Sequence, residues 1–175
     1  ASVADVVQPC PDIDGIVVCP ATIDLSGAEI ELVDVERREY RLREALREYV
    51  SEHADIDIVL IDCPPSLGLV TLNVMVAADE VMIPIQAEYY ALEGLSQLWN
   101  TVERIGVDLN PGLRVSGMLL TMADKRTKLS EEVEGEVRSH FPDQTFETVI
   151  PRSVRISEAP SYGQTVVTYD PRNVG

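Results

Sequence analysis

The stretch "DIDIVLIDCPPSLG", residues 55–68, decides how the rest of the chain is read. Ile58, Val59, Leu60 and Ile61 run without a polar break and end on Asp62; Cys63, Pro64, Pro65, Ser66 and Gly68 follow. A short, continuous apolar run bounded by turn residues predicts a strand covered on both faces, as in a parallel sheet. A carboxylate at the tip of a buried strand is costly unless it is paired or close to a cation. On these residues alone, Asp62 either caps a turn or helix, or serves a bound cation.

Similar runs recur at Ile16–Cys19, Val81–Ile85, Val115–Leu120 and Phe146–Ile150. Helical stripes alternate with them. Leu42, Ala45, Leu46 and Tyr49 share one face, with Ser26 as an N-cap upstream. Leu92, Leu95, Leu98, Val102 and Ile105 form a second stripe ending at Gly106, and Leu129, Val133, Val137 and Phe141 a third, stopped by Pro142. Thr127 or Ser130 caps the third. This alternation predicts one α/β domain over residues 1–175, a doubly wound, mostly parallel sheet with helices on both faces. Ligands in such folds collect at the carboxyl ends of the strands.

The totals restrict the function classes. A chain of 175 residues and 19.3 kDa is long enough for one real core. No apolar run is long enough to span a bilayer. No leader opens the chain, so a cytoplasmic location is expected; the absence of an initiator Met and the abrupt start suggest a piece of a longer protein. Cys10, Cys19 and Cys63 lack metal-ligand spacing, and His53 and His140 sit near predicted helix ends without neighbouring ligands. Net charge is −16, unevenly spread: residues 1–111 carry 21 acids and 6 bases, residues 112–175 carry 9 acids and 8 bases. A polyanion would therefore meet the C-terminal third.

Four segments in order, "IDCPPSLGLVTLN", "PIQAEYYALEGLSQL", "GMLLTMADKRTKLS" and "VIPRSVRISEAPSYGQTV", resemble the ParA/Soj family of chromosome- and plasmid-partitioning ATPases, within the MinD-like deviant P-loop class. The resemblance runs from about Gly15 to Pro171 and makes the chain the C-terminal two-thirds of such an ATPase domain. It implies a P-loop NTPase-like fold, here incomplete. The sequence contains no G-x-x-x-x-G-K-[ST], the loop whose amides and Lys cradle phosphates. In the family that loop lies upstream of the residues present, and its strand lies inside the sheet, so two strand borders are expected to be left unpaired.

The resemblance assigns residues. Asp62 corresponds to the Walker B acid, acting on Mg2+ indirectly through water. Met122, Pro151 and Arg152 line the pocket for the nucleotide base, with Ser153 where the family commonly has Asn. Arg126 and Arg155, with Lys125 and Lys128 nearby, contact non-specific double-stranded DNA. Glu88, Tyr89 and Gly94 face the second subunit of an ATP-dependent homodimer. A ParB-type centromere-binding protein stimulates hydrolysis, and the protein associates with the nucleoid. Mg2+ and ATP belong to the intact parent; none is expected on this chain alone, whose own catalytic activity the resemblance leaves open. Two alternatives stand beside this reading: a MinD-type membrane-cycling ATPase of division-site placement, and a non-hydrolytic remnant that binds only DNA or a partner. A MinD-type protein would need a C-terminal amphipathic membrane helix, which the sequence does not show.

Overall fold

The computed structural model describes residues 2–11, 13–64, 66–88 and 91–174, without the side chains of 91–93. The stripe member Leu92 is therefore outside the described side chains. The chain divides into two compact units, Ala1–Asp79 with Arg104–Leu113, and Glu80–Glu103 with Arg114–Gly175.

In the first unit, strands β1 (Gln8–Pro9) and β2 (Val17–Val18) pair antiparallel. Helices α1 (Ala28–Glu31), α2 (Arg41–Glu52) and α3 (Leu69–Ala77) follow. The run Ile16–Cys19, expected inside a parallel sheet, thus forms only a two-residue ladder, and Val17 and Val18 are exposed. Two strands without a third have no face to bury. Ser26 does not cap the first stripe. It lies in a 3-10 turn, Ile23–Gly27, where its hydroxyl donates to the Ile23 carbonyl at 2.7 Å.

Two amides hold this unit's helices. Asn73 is buried; its Oδ1 accepts from the Leu42 N–H at 3.2 Å, and its Nδ2 donates to the Arg38 and Leu69 carbonyls, both at 3.0 Å. Asn110 Nδ2 donates to Met75 and Ala78 carbonyls at 3.0 and 2.7 Å. Such bonds satisfy backbone groups that helix ends leave orphaned. His53 and His140 sit at helix ends as expected, each with Nδ1 on the carbonyl four residues back.

The second unit contains β3 (Glu80–Gln86), α4 (Ala91–Asp108), β4 (Arg114–Ala123), α5 (Lys128–His140), β5 (Thr145–Pro151), α6 (Val154–Glu158) and α7 (Val166–Tyr169). Residues 104–108 of α4 belong to the first unit. The sheet order is β3-β4-β5, parallel throughout, with α4 and α5 as the crossovers parallel neighbours require. Ile83 pairs with Met118 and Ile85 with Leu120. These four form one core cluster with Leu95 of α4 and Val133 and Val137 of α5, flanked by the Trp99–Phe141 ring contact at 5.5 Å. Thr127 caps α5, its side chain accepting from the Ser130 N–H. Arg138 ties α5 to β5 by donating to the Phe146 and Glu147 carbonyls at 3.1 and 3.4 Å. Gly117 is needed where the Phe146 ring crosses β4: a Cβ there would lie 2.5 Å from it.

The strand expected over residues 58–61 does not form: residues 58–64 carry no strand, and Ile58 and Leu60 are 76% and 88% exposed. Among the described residues no strand pairs with this segment, and Ile58, Val59 and Leu60 are left exposed. β3 is likewise an edge of its sheet. Unpaired borders and exposed apolar side chains favour association. The isolated chain is therefore expected to self-associate in a concentration-dependent way by light scattering. A monomer at all concentrations, unfolding in one cooperative step, would contradict this.

Candidate functional site at the strand ends

Backbone bonds hold the carboxyl ends of the three parallel strands side by side. The Ala87 N–H donates to the Thr121 carbonyl at 3.0 Å, and the Arg152 N–H to the Ala123 carbonyl at 2.9 Å. Pairing steps from Leu120↔Val149 to Ala123↔Pro151, so β4 carries one residue more than β5 over this interval. The surplus forms a bulge, a device that re-aims side chains beside sites. Met122 within it has φ +52°, a left-handed conformation that costs a non-glycine residue about 1–3 kcal/mol. Met122, Pro151 and Arg152 thereby stand at neighbouring backbone positions.

A line of charges crosses these ends. Arg152 Nη2 donates to Glu88 Oε1 at 2.6 Å, linking the end of β5 to that of β3. In the loop after β4, Arg126 grips Asp124 by two side-chain bonds, Nε to Oδ1 at 2.8 Å and Nη2 to Oδ2 at 2.6 Å. The Arg126 backbone N–H adds a third, to Oδ1 at 3.0 Å. The bonds from Arg126 hold the Asp124 carboxyl well below the usual carboxylate range, and the charge of Arg152 contributes. Asp124 is therefore ionised throughout the neutral range.

On α6, Arg155 Nη1 donates to the Tyr169 hydroxyl at 3.4 Å and to Glu158 Oε2 at 3.1 Å. The Tyr169 bond, then the Glu158 charge, push its guanidinium pKa up. Among the described residues, neither Lys125 nor Lys128 has an ion-pair partner. Gly94 is exposed on α4, and a Cβ there would meet nothing within 4 Å, so packing does not demand glycine. Tyr89 lies outside the described residues.

Asp62 belongs to the first unit, and the strand-end cluster to the second. Asp62 is exposed. Partial desolvation, then the charge of Asp62, push up the thiol of Cys63, whose residue surface is nonetheless exposed. Among the described residues no three His, Cys, Asp or Glu side chains gather as metal ligands, and no helix is long and apolar enough to cross a membrane. Sequence reasoning missed Asp124 and the Glu88–Arg152 link. An Asp followed two residues later by Arg, just before the Thr127 cap, was the available signal for Asp124.

A family model described as "AAA domain" matches residues 1–115. The chain is 53% identical over 158 residues to "Chromosome partitioning protein ParA" of Myxococcus xanthus, covering 90% of this chain and 55% of that one. It is 51% identical over 175 residues to "Sporulation initiation inhibitor protein Soj" of Bacillus subtilis, covering 100% of this chain and 68% of that one. The chain thus spans between 55% and 68% of these relatives' length. Among solved structures, "Cobyrinic Acid a,c-diamide synthase" from Mycobacterium smegmatis with bound ADP and magnesium superposes with a TM-score of 0.79 at 35% identity, over 87% of this chain and 60% of that one. Apo McdA from Cyanothece, at 20% identity, shares the fold alone, with a TM-score of 0.81 over 96% of this chain and 67% of that one. The order of motifs, the parallel sheet and these identities agree, and the chain belongs to the ParA/Soj family of chromosome-partitioning ATPases.

Proposed function

We propose that this chain is the C-terminal part of a cytoplasmic, nucleoid-associated partitioning ATPase that dimerises with ATP, binds DNA without sequence preference and answers to a ParB-type partner. What carries the reading is the gathering of Met122, Pro151, Arg152 and the basic loop at one end of a parallel sheet, in a chain 53% identical over 158 residues to a protein named for chromosome partitioning.

Taken unit by unit, some of the residues present suit contacts to Mg2+ or to a nucleotide base. Asp62 is an exposed carboxylate suited to holding a water of Mg2+. At Met122 the bulge turns the backbone out of the regular ladder, which suits recognition of a base by main-chain groups, with Pro151 as the facing wall. Arg152 is braced by Glu88, so the base side is joined by one ion pair to a residue nominated for the dimer face. Mg·ATP, when bound, supplies the anhydride to be cleaved and the ligand shared by the dimer. The phosphates need a cradle of backbone amides and a Lys, and no such motif occurs in these residues. That observation favours, for the chain by itself, the second reading of a DNA- or partner-binding piece without hydrolysis. Calorimetry with Mg·ATP on the isolated chain is expected to show no micromolar binding; saturable micromolar heat would reject that.

DNA contact at this surface would be made to phosphates, because Lys125 and Arg126 lie in a turn, Arg155 lies on the five-residue α6, and Lys128 alone of the nominated cations opens a longer helix, α5. The cations are Arg126, Lys125 and Lys128 on the loop and first turn after β4, and Arg155 after β5. In the whole protein with Mg·ATP, Arg126→Ala and Arg155→Ala should each weaken binding equally for two unrelated duplexes. Because each arginine already holds a carboxylate, each substitution should lower the salt slope by less than the value of about 1 expected for a free cation, with ATP hydrolysis in the absence of DNA retained. Unchanged affinity in both variants would return the arginines to solvated loop residues, and loss on one duplex only would indicate base readout.

A further inference from the structure

The arginine nominated for DNA already holds an anion. Asp124 takes the Nε and Nη2 edge of Arg126 in two-point contact, at 2.8 and 2.6 Å, and the backbone N–H of the same residue at 3.0 Å. A phosphate offers two oxygens in the same fork geometry. The Asp124 side chain is only 21% exposed, while that of Arg126 is 86% exposed. The acid is therefore fixed and the guanidinium is the part able to leave. Its neighbours Lys125 and Lys128 have no ion-pair partner among the described residues.

We propose that Asp124 is an intramolecular stand-in for phosphate at Arg126 and thereby sets how strongly this loop holds a polyanion. The inference rests on the reading of the loop as a phosphate-binding surface and adds a residue which that reading does not assign. Counterion release is what makes such binding favourable. Lys125 and Lys128 give up solution anions and recruit phosphate at full value. Arg126 exchanges one anion for another, and Asp124, once released, recaptures a cation. Its net contribution to the salt dependence is small while Asp124 is charged. Turn geometry alone does not need the charge: Thr127 N–H and hydroxyl both bond the Asp124 carbonyl, and the Asp124 N–H bonds the Ser130 hydroxyl.

The test uses the whole protein with Mg·ATP and a fluorescein-labelled duplex titrated at several salt concentrations. Asp124→Asn keeps the Oδ1 acceptor for the Arg126 N–H and removes the charge. It should bind more tightly and steepen the salt slope by about 0.9, so that Kd changes about three- to fourfold more than in the parent between 50 and 200 mM salt. In an Arg126→Ala background the same substitution should gain less than half of that. Asp124→Ser, which also keeps a short acceptor, should follow Asp124→Asn, and thermal melts of both check that the loop still folds. If Asp124→Asn binds no better, or worse, while Arg126→Ala weakens binding, Asp124 merely braces the turn and the proposal is overturned. Equal tightening with and without Arg126 also overturns it, since that is a general charge effect. If Arg126→Ala leaves binding unchanged, the phosphate reading of Arg126 fails first, and the proposal with it.

Discussion

The ladder joining β3, β4 and β5 is the constraint on which the second unit depends. Parallel strands cannot be closed by a tight turn, so α4 and α5 must run back across the sheet, and they bury Leu95, Val133 and Val137 on Ile83, Ile85, Met118 and Leu120 as they do so. Parallel pairing also brings all three carboxyl ends to the same side. The site follows from this: the ladder ends where Ala87 meets Thr121 and Arg152 meets Ala123, and the polar residues beyond those bonds are held together. The bulge at Met122 is where the regular ladder gives way, and the backbone strain sits at the residue nominated for the base.

The same constraint explains why some elements were legible in the sequence and others were not. Val81–Ile85, Val115–Leu120 and Phe146–Ile150 became β3, β4 and β5 because each has a neighbour in the chain. Ile58–Ile61 has an equally apolar pattern and forms no strand. Pattern reports what a segment can bury, while pairing depends on a second segment that the pattern does not contain. Ile16–Cys19 failed in the same way, reduced to two exposed residues opposite Gln8 and Pro9. Helix α3 escaped notice for a different reason. It is apolar nearly all round and buries Thr71, Val74, Met75 and Val76, so it carries no stripe to read.

The site was legible in part. Positions came from order along the chain: the nominated residues of the second unit lie in the last two positions of a strand, just past its end, or on the helix that follows. Pairing did not. Arg126, Arg152 and Arg155 each hold a carboxylate, Asp124, Glu88 and Glu158; composition counts Asp124 and Glu158 only as part of the near-neutral residues 112–175, and Glu88 among the acids of residues 1–111. A surface whose arginines are already matched attracts polyanions weakly at long range. If this surface binds DNA as proposed, Lys125 and Lys128, which have no ion-pair partner among the described residues, would carry most of the attraction, and the arginines would make contact by exchange.

The claim that strand pairing decides which apolar runs are structured is open to one direct measurement. Native-state amide hydrogen exchange resolves protection residue by residue. The account predicts strong protection of the β4 amides, which lie between two strands, and little or none for Ile58, Val59, Leu60 and Ile61. Protection of residues 58–61 matching that of β4, in the monomeric chain, would contradict it.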